Sequence, residues 1–412
     1  GLPTSTTGAK NTTLMALVSL STFLTSLISF LCVAYAQQVA DPFPNGICAS
    51  SVRIHGYKCQ EFEVRTKDGY ILSVQRIPEG RYGDPSPNRP PVLIQHGVLV
   101  DGTTWLLNSP EENLPMILAD KGFDVWIANT RGTRFSRRHT RLVADQPEFW
   151  NWSWDELVTY DLPAVFDHIY VHSYQKIHYI GHSLGTLIAL ASFSEGLLAD
   201  KVKSAVLLSP IAYLSHMNTA LGVLAAKSFV GEVTTLFGFA EFNPKGEEGS
   251  KFLKALCAYP GVDCYDLLSA ITGKNCCLNS STVDLFLRNE PQSTATKNMV
   301  HLAQIVRDGV TAKYNYGNTI YNMQHYGEAK PPVYNLSKIA NDLPIFISYG
   351  GQDALSDVRD VQLLLDSFKF HDVDKINVQF IKDYAHADFV MGFNAKDLVY
   401  NQIFSFLKLQ KN

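Results

Sequence analysis

Ile177-His178-Tyr179-Ile180-Gly181-His182-Ser183-Leu184-Gly185-Thr186-Leu187-Ile188-Ala189-Leu190 changes character at its centre. The run up to Ile180 is apolar, as expected of a strand buried on both faces. From Thr186 to Phe193 the pattern becomes that of a buried helix. Between the two, glycines flank Ser183, where a strand-to-helix turn is too tight for a side chain on either side. This strand–elbow–helix setting makes Ser183 a candidate nucleophile, because a helix N-terminus favours the negative charge that develops in acyl transfer. The plainer reading, an ordinary turn serine, fits the pentapeptide but not its setting.

Working outward, the same rhythm repeats. Gln60 to Thr66 and Tyr70 to Ile77 read as strands joined by a Lys67-Asp68-Gly69 turn, a hairpin signal. Pro91 to His96, Asp124 to Asn129, Lys176 to Ile180 and Ser204 to Leu208 read as buried strands. Asn113 to Lys121 and Trp154 to Val171 read as helices between them. Strand alternating with helix predicts an α/β fold with a mostly parallel sheet and helices on both faces. The rhythm breaks over 211–338, which is helical and loop-like, and resumes at Leu343 to Tyr349, Ile376 to Ile381 and a last helix from about Ala395 to Leu409. The expected organisation is a first core part over 37–210, an inserted helical cap over 211–338, and a second core part over 339–412. Between Ile211 and Asn243 the only charges are Lys227, Glu232 and Glu241. Such a stretch suits either a buried cap helix or a mobile lid with an apolar face.

A serine hydroxyl needs a base to take its proton and a carboxylate to orient that base. On such a sheet the chain order is serine, acid, histidine. Of the later histidines only His386 follows the last strand; His301 and His325 lie in the insertion, and His371 precedes that strand. His216, in the apolar stretch, reads as a packing or lid residue. For the acid, Asp353 stands just past the strand ending at Tyr349, where ligand-facing loops gather. Asp357 is a rival better suited to capping a helix, and Asp388 is too close in sequence to His386 to receive its Nδ1 proton. The oxyanion needs two N–H donors: that of Leu184, after the nucleophile, and that of Val98, in the loop His96-Gly97-Val98. His96 is assigned a structural role. None of this chemistry requires a metal or an organic cofactor.

The formal net charge is -4 and the hydrophobic share 46%, which describe a folded globular chain and suggest no nucleic-acid partner. The group Arg134, Arg137, Arg138 and Arg141 reads as solvated surface. Residues 1–36 read as a signal peptide ending in Ala34-Tyr35-Ala36, with 1–14 as leader sequence before Met15; a transmembrane anchor is the competing reading. Once that segment is removed no anchor remains, and the six cysteines left, Cys48, Cys59, Cys257, Cys264, Cys276 and Cys277, read as disulfides. Cys48 and Cys59 are placed to clip the N-terminal arm; the other four allow three pairings, which stay open. Zinc is disfavoured, since paired C-x-x-C spacing is lacking. Sequons begin at Asn151, Asn279 and Asn335.

These residues carry a resemblance over nearly the whole chain beyond residue 36. Leu93-Ile94-Gln95-His96-Gly97, Asn129-Thr130-Arg131-Gly132, Phe149 to Glu156 with Tyr160 to Ala164, Gly181 to Thr186, Gly350 to Asp353, and His386-Ala387-Asp388-Phe389 resemble the acid lipase family of gastric and lysosomal acid lipases. Ile271 to Cys277 and Lys330-Pro331-Pro332 are similar to its plant members. The resemblance implies the α/β-hydrolase fold and a triad of Ser183, Asp353 and His386. It also implies hydrolysis of triacylglycerols or steryl esters at a lipid–water interface, beneath a helical cap and lid; the signal segment and the cysteines point to the secretory pathway, extracellular or vacuolar/lysosomal. A soluble short-chain carboxylesterase and a non-catalytic lipid-binding protein are the alternatives. Leu184, where Gln is frequent in the family, and Val98, in place of Leu, are departures.

Overall fold

The computed structural model describes residues 45–83, 86–217, 219–228, 240–263 and 266–410. The signal segment, Cys264, and the apolar residues Phe229, Val233, Leu236, Phe237 and Phe239 lie outside the described residues. No described helix is long and apolar enough to cross a membrane.

Residues Ile47–Asn412 form one compact unit built on a nine-stranded sheet. The strands are β1 (Gln60–Arg65), β2 (Tyr70–Ile77), β3 (Pro91–Gln95), β4 (Asp124–Ala128), β5 (Arg138–His139), β6 (Ile177–His182), β7 (Val202–Leu208), β10 (Ile345–Gly350) and β11 (Ile376–Ile381). Two further short strands, β8 (Glu241–Phe242) and β9 (Thr294–Ala295), pair with each other in the insertion. The main order is β1-β2-β4-β3-β6-β7-β10-β11, with β5 beside β2. β1 and β2 form the expected antiparallel hairpin, turned at Gly69 with φ 101°. From β4 to β11 all neighbours are parallel, which puts the loops after the strand ends on one edge of the sheet, where ligand sites gather.

The period-two alternation within these apolar strands divides the core. Leu93, Trp126, Tyr179, Ala205 and Leu207 point into one cluster with Phe166 and Leu187. Val92, Ile94, Val125, Ile127, Ile180, Val206 and Leu208 point into the other with Met116 and Ile403. Helices cover both faces, as expected. α1 (Leu114–Asp120) begins where the Asn113 side chain accepts from the Met116 N–H, with a proline in its first turn. α2 (Leu162–Ser173) follows a π-turn, and α3 (Leu184–Ser194) leaves the elbow at Ser183.

The chain leaves the sheet after β7 and returns at β10, its direct neighbour. Between them lie α4 (Ala220–Ser228), α5 (Glu247–Cys257), α6 (Leu267–Thr272), α7 (Ser280–Asn289), α8 (Thr296–Asp308) and α9 (Thr319–Tyr326). After β10, α10 (Val358–Ser367) starts at Asp357, which accepts from the Arg359 N–H as a cap, and α11 (Asn401–Leu409) closes the chain. The arginine group lies at the surface as expected, with Arg134, Arg138 and Arg141 exposed and Arg137 half-buried, and three of the four are ion-paired: Arg134 with Asp101, Arg137 with Glu241 of the insertion, and Arg138 with Glu63. Each paired guanidinium meets a carboxylate brought by the fold from far along the chain. Cys48–Cys59 is a disulfide, Cys276 is bonded to Cys277, and Cys257 is disulfide-bonded. Asn151, Asn279 and Asn335 are exposed.

Candidate active site

The elbow is as tight as its glycines require. Ser183 has φ 55° and ψ -120°, outside the regions an ordinary L-residue prefers. A Cβ on Gly181 would sit 2.7 Å from the Gly185 carbonyl oxygen, and one on Gly185 would sit 2.7 Å from that of Gln95. The Tyr179 hydroxyl donates to Gly185 O at 2.6 Å, and Thr186 Oγ1 donates to Ser183 O at 2.6 Å. Thr186 Oγ1 then accepts from the Ile211 N–H, tying the elbow to the first residue beyond the core.

The structure brings His386 and Asp353 into direct contact: Nδ1 donates to Oδ2 at 2.9 Å, with Oδ1 at 3.1 Å. Asp353 Oδ1 also accepts the N–H groups of Leu355 and Ser356, which fixes the carboxylate plane. Among the described residues no hydrogen bond joins Ser183 Oγ to His386, as is common before substrate tightens such a site. His182 links the two instead. Its Nε2–H donates to the His386 carbonyl at 2.9 Å and its ring lies 4.6 Å from the His386 ring. Burial, and then the neighbouring His386, hold the His182 pKa far below its ordinary value, so it stays neutral. Asp388 does not reach the imidazole; its carboxylate accepts backbone N–H groups of Ala385, Cys276 and Cys277.

The Gly97 loop lies against Ser183, since a Cβ on Gly97 would be 3.0 Å from Ser183 Cβ. Leu184 is the first residue of α3, so its N–H has no partner within the helix. The Val98 N–H has no hydrogen-bond acceptor among the described residues. His96 has its Nδ1–H on Gly97 O at 2.7 Å, while Nε2 accepts from the Thr130 N–H. Burial lowers its pKa, and it acts as a neutral fastener of the loop. The Leu184 side chain is buried in the core with Leu187 and Leu214.

Three contributions from the insertion and from His182 were not anticipated in the sequence. Thr272 O accepts from the His386 N–H, and Gly273 bridges to Asp353. Gln292 N–H donates to Leu99 O, just beyond Val98. The one available signal was the adjacent pair Cys276-Cys277, an unusual dipeptide. These two sulfurs with Asp388 form a group of potential metal ligands within 4.8 Å of one another, but the sulfurs are bonded to each other.

The chain matches the model of a partial alpha/beta-hydrolase lipase region over residues 48–109 and that of the alpha/beta hydrolase fold over residues 90–392. It is 65% identical to triacylglycerol lipase 2 of Arabidopsis thaliana, over 89% of this chain and 88% of that one. To human gastric triacylglycerol lipase it is 37% identical, over 86% and 89%. Among solved structures it is similar in fold to a lipase in an open form (TM-score 0.55, 14% identity, 86% of this chain and 99% of that one). A soluble variant of monoglyceride lipase from Saccharomyces cerevisiae is also similar (TM-score 0.53, 14% identity, 90% and 100%).

Proposed function

Since the chain belongs to the α/β-hydrolase lipases and is thereby a serine ester hydrolase, we propose that it cleaves triacylglycerols with Ser183, His386 and Asp353 as its catalytic triad. The observation that carries the residue assignment is the His386–Asp353 pair at 2.9 Å, on loops next to a backbone-strained serine. The similarity to triacylglycerol lipases over most of the chain supports the substrate class.

In this reading His386 Nε2 takes the Ser183 Oγ proton as the oxygen attacks the ester carbonyl. Asp353 holds Nδ1–H and stabilises the imidazolium. The carbonyl oxygen becomes an anion met by the N–H groups of Val98 and Leu184. Collapse expels the alcohol, protonated by His386, and leaves Ser183 acylated; water, activated by the same histidine, then releases the fatty acid. Ser183→Ala is expected to abolish triolein and p-nitrophenyl ester hydrolysis while leaving the fold intact. Turnover retained by the purified variant overturns the assignment.

The helical segment 211–338 serves as cap, and its apolar first part as a lid that meets the lipid–water interface. The disulfides, with exposed asparagines at the sequons, support passage through the secretory pathway. N-terminal sequencing of the mature protein should begin near Gln37, and a glycosidase should shift its mobility.

A further inference from the structure

Both loops that carry the acid and the base are bonded to one short segment of the insertion. The Thr272 carbonyl accepts the N–H of His386 and the N–H of Ala354, each at 3.2 Å. Asn275 Oδ1 accepts the N–H of Ala387 at 3.1 Å. The Asp388 carboxylate completes the attachment. On the insertion side it accepts the N–H groups of Cys276 (3.2 Å) and Cys277 (3.1 Å), and on the histidine side that of Ala385 (2.8 Å). The Cys277 carbonyl accepts from Phe393 N–H at 2.9 Å, which anchors the far side of the turn. A disulfide between adjacent residues closes a small ring that includes their peptide bond, so the two N–H groups cannot rotate away independently. They stand side by side before one buried carboxylate, which has no solvent to turn to instead.

We propose that Asp388 is a positioning residue for His386: by gripping the disulfide-closed Cys276–Cys277 turn, it holds the base against Asp353. The proposal rests on His386 being the base. Asp388 acts through the backbone of 385–388, flanking His386, and never touches the imidazole. Its effect is therefore geometric, and small displacements of a catalytic group cost up to about 10²-fold in rate.

The test compares Asp388→Ala, Asp388→Asn, the pair Cys276→Ser/Cys277→Ser, and the combination of Asp388→Ala with that pair. Each full-length variant is assayed on a soluble p-nitrophenyl ester, with thermal melts to establish folding. Asp388→Ala should lower kcat by about 10- to 100-fold with KM changed less than about two-fold. Asp388→Asn keeps an acceptor oxygen and should recover part of the loss. The cysteine pair should also lower kcat, and the combined variant should lose less than the product of the two, since both act through one attachment. If Asp388→Ala does not fold, Asp388→Asn and the cysteine pair carry the same comparisons. An unchanged kcat in a folded Asp388 variant, a loss carried by KM instead of kcat, or losses that multiply fully, overturns the proposal. Full activity in His386→Ala would overturn the triad itself; loss there beside full activity in the Asp388 variants overturns only the positioning role.

Discussion

The Gln292 N–H donates to the Leu99 carbonyl at 2.7 Å, one residue past Val98. Leu99 has φ 62°, a conformation that leucine seldom adopts unless its surroundings hold it there. The insertion supplies that hold. Two residues earlier, Glu290 Oε1 accepts from the Asp101 N–H and from Thr104 Oγ1, each at 3.0 Å. The Asp101 carboxylate accepts from the Arg134 guanidinium and from the Thr103 N–H. Burial, followed by the Asp101 charge, pushes the Glu290 pKa up to about 9.

That shift sets a direction for stability. A carboxyl whose folded pKa is raised contributes stability fully present below its ordinary value of 4.5 and lost as pH rises through about 9. Glu290→Gln removes this titration while keeping an acceptor oxygen. The variant should gain on the wild type as pH rises from 5 to 9, by up to about 1 kcal/mol per pH unit. Thermal melts of both proteins at several pH values measure it, and parallel curves would refute the buried neutral carboxyl.

Gly273 has φ 99°, and a Cβ there would lie 2.1 Å from the Gln352 carbonyl oxygen, next to Asp353. Gly261 also has positive φ, at 86°, but nothing lies within 4 Å of its Cβ position. Gly261→Ala should cost only about 1 kcal/mol. Gly273→Ala should cost about 1–3 kcal/mol more through overpacking, with kcat reduced as the Asp353 loop is displaced. Urea titration and ester assays on the two variants should separate them clearly; equal effects would mean the bridge to Asp353 is inconsequential.

The Cys48–Cys59 disulfide spans a sequence separation of 11 and lies far from Ser183 in the chain. Replacing both cysteines with serine should lower stability by about 2–3 kcal/mol, from the loop closed in the unfolded chain. No loss of kcat should accompany it. A drop in kcat at a temperature where the variant remains folded would contradict this division between the two disulfides.

Arg131 is fully buried between Asp68 and Asp161, and its guanidinium lies 3.8 Å from the Tyr70 ring centroid. Arg131→Met leaves two carboxylates facing each other without their cation, with an expected loss of about 3–5 kcal/mol. Arg131→Lys keeps the charge but not the fork, and should recover only part. Chemical denaturation of the three proteins tests the order.

The core strands and the proposed triad residues were legible because both are written locally. Val92 and Ile94 alternate with Leu93 whatever the partner strand, and Ser183, Asp353 and His386 each follow an apolar run. The β8–β9 pair escaped notice because two residues per strand carry no period. The surface position of Arg134 and Arg137 was legible but their partners were not, because a cation's partner is not encoded beside it: Glu241 lies 104 positions from Arg137. The bonds from Thr272 and Gln292 to the catalytic loops use backbone atoms, which no side-chain pattern announces.

The attachment of residues 272–292 to the catalytic loops bears on how such enzymes can be recombined. Exchanging the whole of 211–338 with a relative's would import foreign struts beneath His386, Asp353 and Leu99, and should break chemistry along with selectivity. An exchange ending before Leu267 leaves those struts native. The segment 267–292 therefore behaves, for such an exchange, as part of the core that it braces.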